Sequence, residues 1–433
     1  MFNLKKIAGI IILISLFVHS GIGQISEHPY SFYAIGIPDD QILVRNAGMG
    51  GLSVADFNNT SISFLNPASY SGLELTNFQI AFKGKFFKLD QDTTSVYSNI
   101  FSFAYFNLGF PVYKKMNWNV AFGMLPVSKI GYSSYFKSVG KADTIDRTEK
   151  FEYTGGFSKF FIGTSLKLFK GFYLGANLFY LFGNTHVYHS LLITESSEFY
   201  GAISDKNSFY GNIGFNAGFN YKIKLNDKKT LNIGAYYEPS TKLKINEEEI
   251  VTSFLNTTSS IKLKDTIFKT STIGGNFQVP LKYGAGILLK SSNKWQAGFD
   301  YKFEEWSTFN FPGIPQLPAD QHEFVLGFET TPNVEDLSYF KRISYRTGLK
   351  YTLSYLNVPV KLSVSPLEYE NLKNFSLSIG AGFPVRKSAS FIDAAVEIGQ
   401  LGSLHDDVIR EQYIRLSFGF RFNDIWFIKP KYE

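Results

Sequence analysis

A strict two-residue alternation of apolar and polar side chains, repeated in long segments along most of the chain, is the feature that most constrains its fold. In the last segment Ile414, Leu416, Phe418, Phe420 and Phe422 occupy every second position, and polar or small residues stand between them. Because successive side chains of a β-strand point to opposite faces, this segment has one apolar face and one polar, partly charged face. A soluble sandwich would show the same period, so the alternation alone predicts strands but not their surroundings.

The length of the alternating segments favours a membrane barrel. Residues 212–225, 294–304 and 374–383 repeat the pattern. Such segments run to about 10–15 residues, whereas soluble strands cluster near about 5–6 and a tilted membrane-spanning strand needs about 9–11. Charged residues make up 18% of the chain, below the ~25% typical of soluble domains. Tyr and Phe number 26 and 44, and barrels in lipid place such side chains at both interfaces.

We therefore predict an all-β fold, a transmembrane antiparallel β-barrel of about 14 strands that the last strand closes against the first. The predicted strands cover roughly residues 75–88, 97–110, 115–132, 156–169, 171–187, 208–224, 228–245, 274–290, 294–308, 321–332, 341–355, 373–384, 387–400 and 410–422. Short connections at 111–114, 170, 226–228, 291–293 and 384–386 alternate with longer ones at 133–155, 188–207, 246–272 and 356–372. This asymmetry is typical of short periplasmic turns and longer extracellular loops.

The N-terminus predicts export. Lys5 and Lys6 precede an apolar run at residues 7–18, and Gly21 and Gly23 form a small-x-small cleavage site, as in a secretory signal peptide. The run is too short for a membrane-spanning helix. The predicted organisation is a signal peptide at 1–23, a hatch segment at 24–74, the barrel at 75–423 and a short periplasmic tail at 424–433, located in the bacterial outer membrane.

Composition and motifs argue against several other functions. The chain has no Cys, and its six His residues show no metal-ligand spacing, so we predict neither a metal site nor a cofactor. Nucleophile-elbow and phosphate-loop motifs are absent from the sequence, so an enzyme is not predicted. The net charge of +6 is spread along the chain, and export excludes nucleic acid as a partner.

Residues 24–74 lack sustained alternation and contain two candidate structural motifs. The glycines at 48, 50 and 51 would let the backbone turn with positive φ and approach the barrel wall closely; the alternative is an ordinary loop. Asn66-Pro67-Ala68 suits a fixed turn at the junction with the barrel. A lumen of about 14 strands is too wide for its own side chains to fill, so we predict that this segment plugs it; the alternative is a loose periplasmic extension.

The same segment carries a family resemblance. Residues 45–51, Arg-Asn-Ala-Gly-Met-Gly-Gly, with Val54-Ala55-Asp56 and Asn66-Pro67-Ala68, resemble the N-terminal hatch signature of the FadL (OmpP1) long-chain fatty acid transporter family. Later matches, among them Leu125-Pro126 and Tyr345-Arg346, are similar to its Bacteroidetes branch. The resemblance implies an outer-membrane barrel with a luminal hatch that moves hydrophobic molecules inward. The hatch residues it implies are Arg45, Gly48, Gly50, Gly51, Asn66, Pro67 and Ala68.

The third predicted strand contains a candidate lateral gate. Pro126 lies in this strand close to Gly123, and because proline cannot donate to a strand ladder, pairing should be interrupted there. In the transporters that the chain resembles, the third strand is where the wall kinks and opens sideways. Gly123 and Pro126 would then mark an opening; the alternative is a bend without one.

Charged residues on inward faces are candidate ligand contacts. Alternation places Arg342, Arg346 and Lys350 on one face of the eleventh strand and Arg415 and Arg421 on one face of the last. Guanidinium groups in a lumen could bind the carboxylate or phosphate head group of a ligand. The alternative is that these charges pair with one another, with Asp300 and Glu304, and with the hatch, as buried charges must.

Two functions are compatible with the sequence. The first is passive uptake of hydrophobic or amphipathic molecules, such as long-chain fatty acids, with hatch rearrangement and lateral release, so that membrane lipid and the ligand are the partners. The second is a non-transporting barrel that acts on another outer-membrane protein, because the FadL family is also similar to barrels that assist type IX secretion as shuttle or partner subunits. A continuous apolar cavity behind the hatch would favour the first, and a filled lumen the second.

Overall fold

The computed structural model describes residues 28–32, 35–138, 146–193, 200–256, 261–292, 294–309, 318–360, 368–386, 388–403 and 408–426. The predicted signal peptide lies outside these residues. The described strands are β1 (Ile37–Pro38), β2 (Thr76–Gln91), β3 (Thr94–Tyr113), β4 (Trp118–Ser138), β5 (Arg147–Phe169), β6 (Phe172–Ile193), β7 (Tyr200–Lys224), β8 (Lys229–Glu238), β9 (Thr241–Asn256), β10 (Ile261–Val279), β11 (Lys282–Ser291), β12 (Trp295–Glu304), β13 (Gln321–Thr330), β14 (Ser344–Val360), β15 (Glu368–Pro384), β16 (Phe391–Leu401) and β17 (Arg410–Asp424).

Helices are few and short. Two four-residue α-helices are α1 (Val44–Ala47) and α2 (Tyr339–Arg342). Short 3₁₀ helices occupy Pro29–Phe32, Pro67–Gly72, Lys114–Met116 and Trp306–Thr308. None of the helices in the described ranges is long and apolar enough to cross a membrane.

The sheet closes on itself as an antiparallel barrel. β17 pairs with β2 from Arg410 opposite Asp90 to Asp424 opposite Thr76, so the last strand meets the first, as predicted. β8 and β9 both pair with β7 and form one barrel strand in two parts, and β10 and β11, which pair with β9 and β8, form another. Counted in this way, without β1, the wall has 14 strands, which confirms the predicted number. Pro239 and Pro280 stand at the two interruptions, where a ladder donor is missing.

The alternation sorts side chains between the two faces of the wall. In β17, Phe418 and Phe422 are exposed on the outer face, while Tyr413, Ser417 and Arg421 are buried on the inner face. Ile213 and Phe215 of β7 are exposed in the same way. The outer surface is therefore apolar and the inner surface polar, which is the arrangement predicted for a wall that faces lipid.

The wall is much taller on one side than on the other, which the sequence did not predict. We call the end of the barrel that carries Thr76 and Asp424 the lower end. β4 to β7 have 21 to 25 residues, whereas β11 to β13 have 10 each. The long loops predicted at 133–155, 188–207 and 246–272 were wrong, because most of these residues continue the ladders of β4 to β7, β9 and β10 beyond the upper end. Polar and charged residues interrupt the apolar period in these upper parts, as in the run Glu247-Glu248-Glu249 of β9, so the alternation that identified the strands stops before the pairing does.

Residues 28–32 and 35–75, which we call the luminal segment, lie inside the barrel. Leu43, Val44 and Tyr70 of this segment are buried and share one hydrophobic core with inward side chains of the wall, including Tyr105 and Phe161. His28 contacts Glu411 of β17, and Asn66 contacts the backbone of β7. The segment therefore touches strands on opposite sides of the lumen.

Candidate functional site

The glycine cluster of the luminal segment lies directly against the wall. A side chain at Gly48 would begin 2.9 Å from the Cα atom of Gly380 in β15. Gly50 has φ +70°, and a Cβ there would lie 3.0 Å from the carbonyl oxygen of Leu349 in β14. Gly51 also has positive φ, at +100°, which L-residues rarely adopt. The two backbones can meet at this distance because neither carries a side chain at the contact.

Asn66-Pro67-Ala68 connects the luminal segment around Val54 to strand β7 of the wall. The Asn66 amide donates to the carbonyl oxygen of Val54 at 2.7 Å and to that of Phe219 in β7 at 3.1 Å. Its side-chain oxygen accepts from the backbone N–H of Ala68 at 3.2 Å, and Pro67 begins the 3₁₀ helix. The motif thus fixes a turn by binding β7 rather than by standing at the junction with β2.

Arg45 belongs to a buried network of charges that crosses the lower lumen. Arg45 pairs with Asp56 and lies 3.1 Å from Glu329. Arg346 binds Glu329 at 2.6 Å and Asp393 at 2.7 Å. The network ends at Arg421, whose guanidinium lies 3.1 Å from Asp393. Two carboxylates of the wall are therefore each shared between two arginines.

A second network holds Asp40 of the luminal segment. The Lys350 ammonium lies 3.0 Å from Asp40 and 3.0 Å from Glu397, and Arg415 contacts the same two carboxylates. Burial alone would raise the pKa of the Asp40 carboxyl, but Lys350 and Arg415 hold it well below its usual range. Asp40 is therefore ionised and acts as a counter-ion for both cations.

These networks bring four of the five cationic candidates together with carboxylates. Arg346, Lys350, Arg415 and Arg421 all have ion-pair partners, which is the pairing alternative rather than a set of free cations. Arg342 was wrongly assigned to the lumen. It ends α2, before β14 begins at Ser344, and its guanidinium lies 5.4 Å from the centre of the Tyr339 ring.

Sequence reasoning missed two further sets of ion pairs. Lys85 and His28 both contact Glu411, the latter at 2.6 Å, and burial lowers the pKa of His28 although Glu411 raises it. A ladder on the other side of the lumen consists of Lys159–Glu238, Lys282–Glu304 and Lys302–Glu323. The sequence does place these lysines at inward positions of alternating strands, but the alternation does not indicate which carboxylate each lysine contacts.

The wall is open between β3 and β4. The ladder runs from Tyr113 opposite Trp118 to Phe106 opposite Met124 and goes no further. Among the described residues, 94–103 and Tyr105 of β3 pair with β2 but not with β4, and β4 continues upwards paired with β5. Gly123 lies in the last but one pair of the β3–β4 ladder. Pro126 lies just above the end of this ladder, beside a register shift in the β4–β5 pairing between Pro126 and Ser128. Both gate candidates therefore lie where the pairing ends.

The luminal segment covers the exposed edge of β4 at this opening. In β1, Ile37 and Pro38 pair with Lys129 and Ser128. The backbone N–H of Asp39 donates to the Val127 carbonyl oxygen at 2.8 Å. Farther up, the N–H of His28 donates to the Gly131 carbonyl at 2.7 Å. Backbone groups that β3 would have satisfied are thus satisfied by residues of the lumen.

A cavity of about 350 Å³ remains between this covered edge and β3. Its lining is partly apolar, from Ile100, Phe101 and Ile130, and partly basic. The basic side chains are Lys83, Lys85, Lys129 and Arg415. Two smaller cavities in the described lumen, of about 70 and 100 Å³, lie around Asp40 and Lys350. Packed aromatic rings occupy part of the upper lumen, such as the fully buried Trp306, which stacks on Tyr355 with ring centres 4.3 Å apart.

Comparisons with known proteins agree with this architecture. The model of a family described as BamG matches residues 3–433. No curated protein matches the chain. Among solved structures, the chain is similar to a FadL homologue of Pseudomonas aeruginosa, with 14% identity and a TM-score of 0.60 over 89% of this chain and 98% of that chain. It is also similar to the Ralstonia pickettii toluene transporter TbuX (13%, 0.56, 89% and 99%) and the Pseudomonas putida toluene transporter TodX (15%, 0.55, 89% and 100%). At these identities the likeness shows a shared fold, that of FadL-type channels.

Proposed function

We propose, from the premise that this chain belongs to the BamG family and has a FadL-type fold, that it lies in the bacterial outer membrane and conducts hydrophobic or amphipathic small molecules. Long-chain fatty acids are one such class. The observation that carries the proposal is the opening between β3 and β4, which only the luminal segment covers in the described structure. A molecule inside the barrel would leave sideways into the membrane when this cover withdraws.

The interior supports an apolar cargo. Aromatic side chains follow one another through the upper lumen: Trp306 contacts Phe309, Phe309 contacts Phe277, and Phe277 contacts Tyr210, with ring centres 5.2 to 5.9 Å apart. Closer to the opening, Phe32 of the luminal segment packs on Tyr132 of β4 at 5.2 Å. These surfaces can exchange contacts with an apolar ligand, but in the described state they fill the space. Conduction therefore requires the luminal segment to move, as the hatch prediction supposes.

The opening can be locked by a disulfide. Pro38 and Ser128 are register partners in the β1–β4 pair, and opposed residues of an antiparallel pair have Cβ atoms within reach of a disulfide. Since the chain has no Cys, Pro38→Cys with Ser128→Cys introduces only this thiol pair. We expect oxidation to reduce uptake of a fluorescent long-chain fatty acid to the level of host cells without the barrel, and reduction to restore it.

A control pair of cysteines tests whether oxidation alone, without closure of the opening, reduces uptake. Val120 and Thr164 are register partners in β4 and β5, which are already paired, so Val120→Cys with Thr164→Cys should oxidise without changing uptake. Full uptake by the oxidised Pro38→Cys/Ser128→Cys barrel would refute lateral passage.

A second function is supported by a different observation, the small size of the two cavities around Asp40 and Lys350. These cavities, of about 70 and 100 Å³, are too small for a long acyl chain, which favours a barrel that works by contact with another outer-membrane protein. The upper part of β10 offers a contact surface, because Leu263, Ile267 and Phe268 are at least half exposed. Mass spectrometry of the barrel purified in mild detergent separates the two functions: a stoichiometric protein partner without bound amphiphile would favour the second.

A further inference from the structure

The cavity at the β3–β4 opening lies at a defined height in the wall. Lys129 is the twelfth residue of β4 counted from Trp118, and Ser102 is the twelfth of β3 counted from Tyr113. A tilted strand crosses the hydrocarbon in about 9–11 residues. In a barrel that spans a membrane, the cavity therefore lies where the hydrocarbon of the upper leaflet gives way to its head groups.

The charges around the cavity do not balance. Lys83 pairs with Asp39, and Lys85 pairs with Glu411. Arg415 shares Asp40 and Glu397 with Lys350, so two cations face two carboxylates. Lys129 has no carboxylate or hydrogen-bond partner for its ammonium among the described residues, although it lines the cavity and is half-buried.

A half-buried ammonium without a counter-ion is costly, and an anion from outside the chain would remove that cost. The residues that bound the cavity show that such an anion can reach it from the outer face of the wall. The cavity is bounded by Phe101, whose side chain is 68% exposed on the outer face, and by Ile100. An anionic group with an attached acyl chain could therefore place its charge beside Lys129 and its chain against Phe101, without entering the lumen.

We propose that this cavity binds the phosphate head group of an anionic membrane lipid, with Lys129 as the principal contact and Lys83 beside it. Phosphate oxygens accept several short, charge-assisted hydrogen bonds, and a lysine ammonium can donate three. The inference rests on the proposed function in one respect, that the opening between β3 and β4 faces the lipid. It adds a ligand that comes from the membrane rather than through the lumen.

Native mass spectrometry of the purified full barrel in detergent tests this directly. Phosphatidylglycerol and phosphatidylcholine with identical acyl chains are added in turn, and inorganic phosphate is added in a third arm. We expect phosphatidylglycerol to be retained in preference to phosphatidylcholine. Lys129→Gln should weaken its binding about tenfold, the loss of one charge-assisted hydrogen bond, while Lys129→Arg should retain most of it.

The matched control is Lys137→Gln, on the same strand but exposed and outside the cavity lining, which should bind phosphatidylglycerol as the unmodified chain does. Heat-dependent gel mobility verifies that each variant is folded. Unchanged binding by a folded Lys129→Gln barrel, or equal retention of the two lipids, would overturn the proposal. So would displacement of phosphatidylglycerol by an equal concentration of inorganic phosphate, because the cavity would then select a soluble anion.

The lipid site and the proposed function can fail independently. Loss of phosphatidylglycerol binding in Lys129→Gln, together with full uptake by the oxidised Pro38→Cys/Ser128→Cys barrel, would keep the lipid site and reject lateral passage. The reverse pair of results, unchanged lipid binding in Lys129→Gln and uptake abolished by the disulfide, would reject the lipid site and keep lateral passage.

Discussion

Replacing Arg346 by alanine separates a structural role for the luminal arginines from a ligand-binding role. The Arg346 side chain is 1% exposed, and its guanidinium lies 2.6 Å from Glu329 and 2.7 Å from Asp393. Removing one partner of a buried ion pair costs about 3–5 kcal/mol, because the remaining charge is left without compensation. Here each carboxylate keeps a second arginine, Arg45 for Glu329 and Arg421 for Asp393, at 3.1 Å in both cases.

Because Arg45 and Arg421 still neutralise the two carboxylates, the cost of removing Arg346 should lie at the lower end of this range. We expect Arg346→Ala to lower the free energy of unfolding by about 3 kcal/mol. The control is Arg147→Ala, because Arg147 is 56% exposed and lies 3.5 Å from Glu149. Exposed pairs contribute about 0–1 kcal/mol, so this variant should unfold almost as the unmodified barrel does.

The assay is urea unfolding of the barrel refolded into phospholipid vesicles, followed by the fluorescence of its four Trp residues. Reversibility is verified by refolding from high urea. An Arg346→Ala barrel as stable as the Arg147→Ala control would refute the pairing argument. If that stable variant also lost uptake of an anionic amphiphile, Arg346 would be a binding residue and its carboxylate partners would not determine its role.

Two further perturbations test the luminal segment. Gly50→Ala should destabilise the barrel by about 1–3 kcal/mol, the cost of an L-residue at positive φ. The loss should exceed that of Gly51→Ala, because a Cβ at Gly50 would lie 3.0 Å from a backbone oxygen, whereas the atom nearest to a Cβ at Gly51 is 3.5 Å away. Equal losses in urea unfolding would contradict the close approach of Gly50 to the wall. Asp40→Asn should change how stability depends on acid. The depressed pKa of Asp40 contributes stability that is present above the unfolded pKa of about 3.9 and is lost as the pH falls below that value. Between roughly pH 5 and 3 the unmodified barrel should therefore lose more stability than Asp40→Asn, and parallel pH profiles for the two would contradict the ion pairs of Asp40.

The strands of the wall were predictable because each obeys a local rule. In β17 every second side chain faces outwards, and the sequence shows the period directly. The limits of this rule are also visible. The upper parts of β9 and β10 lack a regular apolar period, because charged runs such as Glu247-Glu248-Glu249 interrupt it, so the pattern does not reveal that they are strands. Arg342 has the parity of Arg346 but belongs to α2, since the chain turns before β14 begins.

The partners of the inward charges were not predictable from the sequence. Parity identifies Arg346 and Arg415 as inward residues, but which carboxylate each one meets depends on the closure of the barrel and on the path of the luminal segment. His28 and Glu411 are 383 positions apart. The pairing interruption near Pro126 has a local cause, yet the covering of that edge by β1 is again a contact between distant parts of the chain.

The luminal segment has two parts, which are fixed by different contacts. Residues 41–75 are fixed by backbone packing at Gly48 and Gly50 and by the shared carboxylates around Arg45. Residues 28–32 and 35–40 are held by the two-residue β1 pairing, by backbone hydrogen bonds to β4, and by the ion pairs of His28 with Glu411, of Asp39 with Lys83 and of Asp40 with Lys350 and Arg415. Residues 28–32 and 35–40 are the part that covers the edge of β4, so opening the β3–β4 gap requires release of these residues and not of residues 41–75. For sites without shared partners, effects on free energy should add, so Arg346→Ala should weaken the fold without changing how the Pro38→Cys/Ser128→Cys disulfide controls uptake.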